Sequence, residues 1–294
     1  MDKKRIKNII YTLGKLAGIV ALIYVLYKLS QEYTLSSFLE RLSSIKQIII
    51  PLIVINFISL LIGIYGWYIM LLQYSKIKFK YITAYYYYAK TDISKYLPGN
   101  IFHLVGRQAF ASKIGISQVD MAKVSLFHTI SILVATILSS TILILFVSSI
   151  ESYIKYLMIL ASIISLIVIY YLFPTFSKKK KSITTTLFTI SVLMQGLLLS
   201  IIVYWQIDSI SFEEFLKVTS IYILSWLIGF VTPGASGGLG VREGAFLAIS
   251  NFIHLNISTD IILFSVLLVR LINILVDILM FISTFFIKKE YIEL

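Results

Sequence analysis

Six stretches of the chain are mainly apolar for about 20 residues or more, the length a helix needs to cross the hydrocarbon core of a bilayer. They are residues 9–29, 48–73, 121–148, 152–173, 184–206 and 260–287. Backbone polar groups in lipid must bond within the chain, so such segments fold as helices or closed barrels. Charged residues make up 14% of the chain, whereas soluble domains carry about 25%. The sequence predicts an all-α polytopic membrane protein with about six transmembrane helices.

The polar composition argues against catalytic and nucleic-acid functions. No polar stretch reaches the roughly 50 residues of a soluble domain. Cysteine is absent and the histidines are scattered at 103, 128 and 254, so no metal-ligand spacing exists. No phosphate-binding loop or hydrolase motif is present. We therefore expect no cofactor, no metal and no enzymatic activity, and we expect a membrane lipid rather than nucleic acid as partner.

Basic residues concentrate in alternate loops and predict the orientation. The formal net charge is +12, and Lys and Arg are enriched on the cytoplasmic side of membrane proteins. With these spans, four clusters of basic residues fall on the same side of the membrane. They lie before residue 9, within 76–113, at 178–181 and at 288–289. We expect both termini to be cytoplasmic and the protein to lie in the cell membrane.

Two further segments, 82–112 and 213–253, are rich in apolar residues but are interrupted by Pro-Gly pairs. Proline ends a helix and glycine permits a sharp reversal. Each half is too short or too polar for an ordinary span, so the sequence predicts two re-entrant hairpins. Exposed backbone at membrane depth survives only inside protein or beside a wet cavity. The half-helix that follows each reversal offers free N–H groups to an anion such as a phosphate.

The two hairpins match each other at an offset of 135 residues. Pro98-Gly99 aligns with Pro233-Gly234, and Arg107 aligns with Arg242. Three spans separate equivalent points, which predicts inverted-topology repeats at 47–148 and 183–294. Residues 1–46 form an N-terminal anchor helix and loop, and residues 149–182 a linking helix and basic loop. The alternative is that 214–232 spans, which makes 240–253 an interfacial helix and removes the inverted symmetry.

Ionisable residues at membrane depth complete the candidate site. Arg270, Asn273 and Asp277 share one face of the last span, where a charge must face the protein interior. Two interpretations are open. Arg270 and Asp277 either form an ion pair with each other, or they act in substrate binding or proton coupling. Arg107 and Arg242 either hold a phosphate, or each neutralises a local acid or anchors at the lipid headgroups. His128 is expected to be a hydrogen-bonded packing residue. Asp92 is expected to pair with Lys95.

The candidate substrate-binding residues come from both hairpins and the last span. They are Pro98, Gly99, Asn100, His103, Arg107, Pro233, Gly234, Gly238, Gly240, Arg242, Glu243, Arg270, Asn273 and Asp277.

The hairpin sequences KYLPGNIFHLVGR and TPGASGGLGVREGAF resemble the two signature regions of the lysylphosphatidylglycerol synthase transmembrane-region family. The resemblance covers most of the chain and marks Pro98, Gly99, Arg107, Pro233, Gly234, Gly238, Gly240, Arg242, Glu243 and Gly244. It implies a flippase-like domain without the soluble aminoacyl-transferase domain, so we expect no lipid synthesis.

The resemblance implies translocation of a lipid, and several substrates remain open. They are aminoacylated phosphatidylglycerol, another anionic lipid, and a polyisoprenyl phosphate or glycolipid. The alternative functions are an intramembrane enzyme acting on a lipid phosphate and an ion-coupled transporter of a small anion. A second copy of the chain and an enzyme of lipid or glycan synthesis are open as protein partners.

Overall fold

The computed structural model describes residues 35–96, 102–207, 210–232, 238 and 240–288. Its helices are α1 (Leu35–Ser44), α2 (Lys46–Tyr74), α3 (Tyr81–Asp92), α4 (Phe102–Phe110), α5 (Gln118–Leu145), α6 (Ser152–Leu172), α7 (Lys178–Gln206), α8 (Phe212–Val231), α9 (Val241–Phe252) and α10 (Thr259–Ser283). Short 3₁₀ turns follow α3 (Ile93–Tyr96), α4 (Ala111–Ile114) and α10 (Thr284–Phe286). The described ranges contain no strand.

Six helices in the described part of the chain are long and apolar enough to cross a membrane, namely α2, α5, α6, α7, α8 and α10. Five of them confirm the predicted spans to within a few residues, and the prediction of an all-α multi-pass membrane protein is confirmed. The predicted span 9–29 lies outside the described residues.

The sixth candidate, α8, was expected to be only half of a hairpin. Its 20 residues extend about 30 Å, which matches the thickness of the hydrocarbon core. The acids of this segment, Glu213 and Glu214, occupy the first helical turn, so the apolar remainder forms one uninterrupted helix. By length and composition alone, α8 therefore qualifies as a span.

Serine residues begin three of the long helices in the way their sequences suggest. Ser117 and Ser177 each accept a hydrogen bond from a backbone N–H of the first turn. Ser211 forms a complete capping box with Glu214 at the start of α8. Caps of this kind satisfy backbone donors that have no partner within the helix.

The predicted repeats assign α2, α3, α4 and α5 to a first unit and α7, α8, α9 and α10 to a second. The two units pack extensively against each other, chiefly through α2 and α5 on one side and α7 and α8 on the other. Within each unit the two middle helices pack against each other. α3 lies against α2 and α10, while α8 lies against α7 and α5. Helices α3 and α8 thus each contact the first helix of their own unit and the last helix of the other.

Small side chains bring α2 and α7 into close contact at the centre of the molecule. The hydroxyl of Ser191 donates to the carbonyl of Ser59 at 2.7 Å. A Cβ on Gly66 would lie 3.1 Å from the ring of Phe188, and one on Gly63 would lie 3.3 Å from Ser191 Oγ. Small residues at such positions are typical of helix contacts inside membranes. This contact joins the two units.

Candidate functional site

A cavity of about 180 Å³ lies inside the bundle and is lined by residues from both segments that were predicted to form hairpins. It is lined by the middle portions of four long helices, near Leu60 of α2, Thr129 of α5, Val192 of α7 and Asn273 of α10. The remaining walls come from α3 with its 3₁₀ turn, α4, the second half of α8, and Arg242 of α9. The cavity therefore lies at mid-height of the long helices, where a charge in lipid is most costly.

Arg107 is buried among aromatic, imidazole and carboxylate groups, while its Nε has no hydrogen-bond partner among the described residues. Its residue surface is only 2% exposed. The guanidinium carbon lies 4.5 Å from the ring centre of Tyr88 and 5.1 Å from that of Trp67. The Nη atoms donate to His128 Nδ1 and Asp92 Oδ1, both at 3.3 Å. Arg107 is thus built into the wall of the cavity.

His128 has the structural role that was predicted for it. A guanidinium has no acceptor, so the Nδ1 of His128 must accept the bond from Arg107. The imidazole is therefore neutral, with its proton on Nε2. The ring also packs edge-on against Phe188, with 5.2 Å between ring centres.

Lys95 joins the first hairpin to α10 through two carboxylates. Its Nζ lies 2.7 Å from Asp92 Oδ2 and 2.8 Å from Asp277 Oδ2. The hydroxyl of Tyr96 donates to the same oxygen of Asp277 at 2.5 Å. The predicted pairing of Asp92 with Lys95 is confirmed. Since Arg107 also binds Asp92, these two acids and two cations form one balanced network.

Arg270 binds Glu243 of the second hairpin, with Nη1 donating to Oε1 at 2.5 Å. The alternative pairing of Arg270 with Asp277 is wrong. The two residues share a face of α10, but they lie about two turns apart, roughly 10 Å along the axis. Each therefore binds the hairpin next to it. Between them, Asn273 accepts a hydrogen bond from Asn56 of α2 at 2.7 Å.

Arg242 differs from the other cavity cations because it has no carboxylate partner among the described residues. Its Nε is buried without a hydrogen-bond partner in that part of the chain. The guanidinium carbon lies 5.6 Å from the ring centre of Trp226. The sequence segments 97–101 and 233–237, which include the two Pro-Gly pairs, contain no Asp or Glu.

Two glycines make room for the Arg242 side chain. A Cβ on Gly229 would lie 2.6 Å from Arg242 Cγ, and one on Gly238 would lie 3.0 Å from Arg242 Nε. Gly238 and Gly240 both have positive φ angles, +70° and +76°, which residues with a Cβ rarely adopt. Glycine at these positions lets the chain turn into α9 while Arg242 points across α8 into the cavity.

Charges in and around the cavity do not cancel among the described residues. The cations are Lys95, Arg107, Arg242 and Arg270, and the acids are Asp92, Glu243 and Asp277. With His128 neutral and Lys95, Arg107 and Arg270 paired, the uncompensated positive charge is that of Arg242. Such a site can hold an anion by charge-assisted hydrogen bonds.

The structure brings most of the predicted site residues together. His103, Arg107, Arg242, Arg270, Asn273 and Asp277 line the cavity, and Glu243 is attached to it through Arg270. Gly238 and Gly240 shape the approach to α9. Pro98, Gly99, Asn100, Pro233 and Gly234 lie outside the described residues. No three His, Asp or Glu side chains converge as metal ligands in the part of the chain that the structure describes.

Several residues that line the cavity were not predicted from the sequence. Tyr88 lies in a run of four tyrosines that has no periodic signal, and Trp226 lies in an apolar helix with nothing to distinguish it. Asn56 is an amide deep inside the second predicted span, and its depth was a signal that could have identified it. Tyr96 adjoins Pro98-Gly99 and could have been included with that motif.

A scan against protein-family models and a search of curated proteins find no match to this chain.

Proposed function

We propose that this chain is an integral membrane lipid translocase, a flippase or scramblase for an anionic or headgroup-modified lipid. The observation that carries the proposal is Arg242, a cation without a carboxylate partner among the described residues, inside a cavity at mid-height of the bundle. A buried charge is costly unless it is paired. A phosphate entering the cavity would supply the missing negative charge.

The size of the cavity favours binding of a headgroup rather than a whole lipid. Pockets that enclose drug-sized molecules measure about 300–1,000 Å³, whereas this cavity measures about 180 Å³. A phosphate with a small substituent fits such a volume, while acyl chains would remain in the surrounding bilayer. Aminoacylated phosphatidylglycerol, phosphatidylglycerol, a polyisoprenyl phosphate and a glycolipid linked through phosphate all carry a headgroup phosphate.

The proposal includes two inverted repeats with re-entrant hairpins. The helix packing supports this, because α3 packs on α2 and α10 while α8 packs on α7 and α5. It is also supported by the position of the hairpin ends, since Tyr96, Arg107, Phe230 and Arg242 all line the mid-height cavity. Sites at a repeat interface near the bilayer midplane are typical of secondary transporters.

The resemblance of both hairpin motifs to the lysylphosphatidylglycerol synthase transmembrane region agrees with this function. We place the protein in the cell membrane with both termini in the cytoplasm, on the strength of its basic loops. Its partner in this account is the lipid substrate, and the role assigned to it is transport rather than chemistry on the lipid.

The test is reconstitution into phosphatidylcholine liposomes that contain a trace of a fluorescent lipid. Three lipids are compared: phosphatidylglycerol, its lysyl ester and a polyisoprenyl phosphate. A membrane-impermeant quencher then measures how fast each one leaves or enters the outer leaflet. Protein-dependent movement of at least one lipid is expected. Movement no faster than in protein-free liposomes for all three would contradict the proposal.

A small-anion transporter is the second candidate, because the cavity volume also suits inorganic phosphate. The same liposomes decide between the two. Uptake of radiolabelled phosphate without lipid movement would favour the small anion. Chemical conversion of the added lipid, followed by chromatography of the extracted lipids, would instead favour an intramembrane enzyme.

A further inference from the structure

We infer that Asp277 is a proton-binding site, and that an anion entering the cavity is taken up together with a proton. The inference rests on the proposed function, because it assumes that a phosphate-bearing ligand enters this cavity. It adds an energy source, since such a carrier can be driven by a transmembrane proton gradient.

The three cavity acids differ in how many cations hold them. Asp92 contacts both Lys95 and Arg107. Glu243 is held by Arg270, which lies at 2.5 Å. The described cation on Asp277 is Lys95 alone, at 2.8 Å, and its other donor is the neutral hydroxyl of Tyr96. Asp277 is therefore the acid that loses its counter-charge when Lys95 is drawn away.

Lys95 is also the paired cation of the cavity that a ligand can reach most easily. Its side chain is 28% exposed, compared with 13% for Arg270 and 1% for Arg107. It lies in the 3₁₀ turn that leads into Pro98-Gly99, on a flexible stem with a rotatable ammonium. A phosphate bound by Arg242 in the same small cavity competes with Asp277 for this ammonium.

The exchange of partners then requires a proton. The Lys95 ammonium moves its hydrogen bond from Asp277 Oδ2 to a phosphate oxygen and stays protonated. Asp277, whose side chain is 5% exposed, is left as a buried carboxylate that keeps the neutral Tyr96 hydroxyl as donor but has lost its counter-charge. Burial disfavours the charged form, so the carboxylate takes a proton from the aqueous phase and becomes a neutral carboxylic acid. Tyr96 can accept a hydrogen bond from the new O–H.

Among the described residues, Lys95 is the cation that forms an ion pair with Asp277. α10 packs against α2, α3 and its 3₁₀ turn, α7, α9 and the turn at 284–286. The charged and titratable groups that these elements and α10 itself place around the cavity are Tyr88 and Asp92 of α3, Lys95 and Tyr96 of the turn, Glu243 of α9 and Arg270 of α10. α2 contributes Asn56, and α7 contributes Gln195.

The test measures protons and lipid binding together. Purified protein in weakly buffered detergent at pH 7 is titrated with phosphatidylglycerol, and a pH-indicator dye records proton uptake, with phosphatidylcholine as the control lipid. We expect about one proton per bound phosphatidylglycerol, and lipid affinity that falls up to tenfold per pH unit as the pH rises, as linkage requires. The wild-type protein alone provides this readout.

Two substitutions on α10 locate the proton. Asp277→Asn should still bind phosphatidylglycerol but take up no proton. The matched control is Asp260→Asn, which removes an acid of the same helix that pairs with Arg41 outside the cavity, and its uptake should equal that of the wild type. Lipid binding without proton uptake in the wild type would contradict this inference but not the proposed function. Undiminished proton uptake by Asp277→Asn would have the same consequence. Absence of any phosphatidylglycerol binding would contradict the inference and weaken the proposed function with it.

Discussion

Asn56 of α2 donates a hydrogen bond to Asn273 of α10 at 2.7 Å, at the level where α10 also binds both hairpins. Arg270, three residues earlier, holds Glu243 of the second hairpin. Asp277, four residues later, holds Lys95 of the first. One face of a single helix therefore contacts α2, the 3₁₀ turn after α3, and α9, and a relative movement of these elements must break or remake one of the contacts.

Removing Arg270 should destabilise the protein more than removing Asn273. Arg270→Met leaves Glu243 as a buried, unpaired charge, which costs about 3–5 kcal/mol. Asn273→Ala removes an interhelical hydrogen bond, and such bonds average about 0.6 kcal/mol in membrane proteins. Thermal midpoints of the purified variants should rank wild type, Asn273→Ala and Arg270→Met in falling order.

The double variant Arg270→Met/Glu243→Met provides the control. It removes the unpaired charge, so its thermal midpoint should recover toward the wild-type value. A double variant less stable than Arg270→Met would show that the pair does not act as a unit.

Arg107→Lys should lower stability rather than change substrate binding alone. Lysine keeps the charge but loses the planar group that stacks between Tyr88 and Trp67 and bonds His128 and Asp92. We expect a lower thermal midpoint in detergent. A normal midpoint combined with loss of transport would instead make Arg107 a direct ligand of the substrate.

Gly229→Ala should displace Arg242 from its present position. The new Cβ would lie 2.6 Å from Arg242 Cγ, so the side chain must shift. We expect slower lipid movement by a protein that still folds. A Gly229→Ala variant with full transport would mean that the placement of Arg242 is not critical.

Single-cysteine labelling in oriented vesicles decides whether α8 spans. The chain contains no cysteine, so each variant carries one reactive group. Phe212→Cys and Phe252→Cys place it at exposed positions at the two ends of the second hairpin. If the hairpin is re-entrant, both should react from the same face, and Lys90→Cys and Lys113→Cys should react from the opposite one. Reaction of positions 212 and 252 from different faces would contradict the inverted repeats.

The long helices could be predicted because their signal is local. An uninterrupted apolar stretch can satisfy its backbone in lipid only within itself, so α2, α5, α6, α7 and α10 were recognisable from composition alone. The buried charges of α10 were recognisable for a related reason, since Arg270 and Asp277 have no other explanation at that depth.

The partners of those charges could not be predicted. Arg270 and Asp277 share a helix face, which made their mutual pairing plausible, but the choice between that pairing and two separate hairpin contacts depends on tertiary packing. The different surroundings of Arg107 and Arg242 also depend on tertiary packing, so they could not be predicted either. The two align in the repeat, yet Arg107 meets Asp92 and two aromatic rings, while Arg242 meets Trp226 and two glycines.

The most direct test of the central claim is the rate of lipid movement when Arg242 is changed. Arg242→Lys keeps the charge but loses the two-pronged geometry, and a lost charge-assisted hydrogen bond of about 1.5–3 kcal/mol corresponds to a rate roughly tenfold or more lower. Arg242→Gln should reduce movement to the protein-free level, while Arg41→Gln, which changes an arginine outside the cavity, should move lipid like the wild type. Wild-type rates in a folded Arg242→Gln protein would contradict the claim that this cation binds the transported lipid.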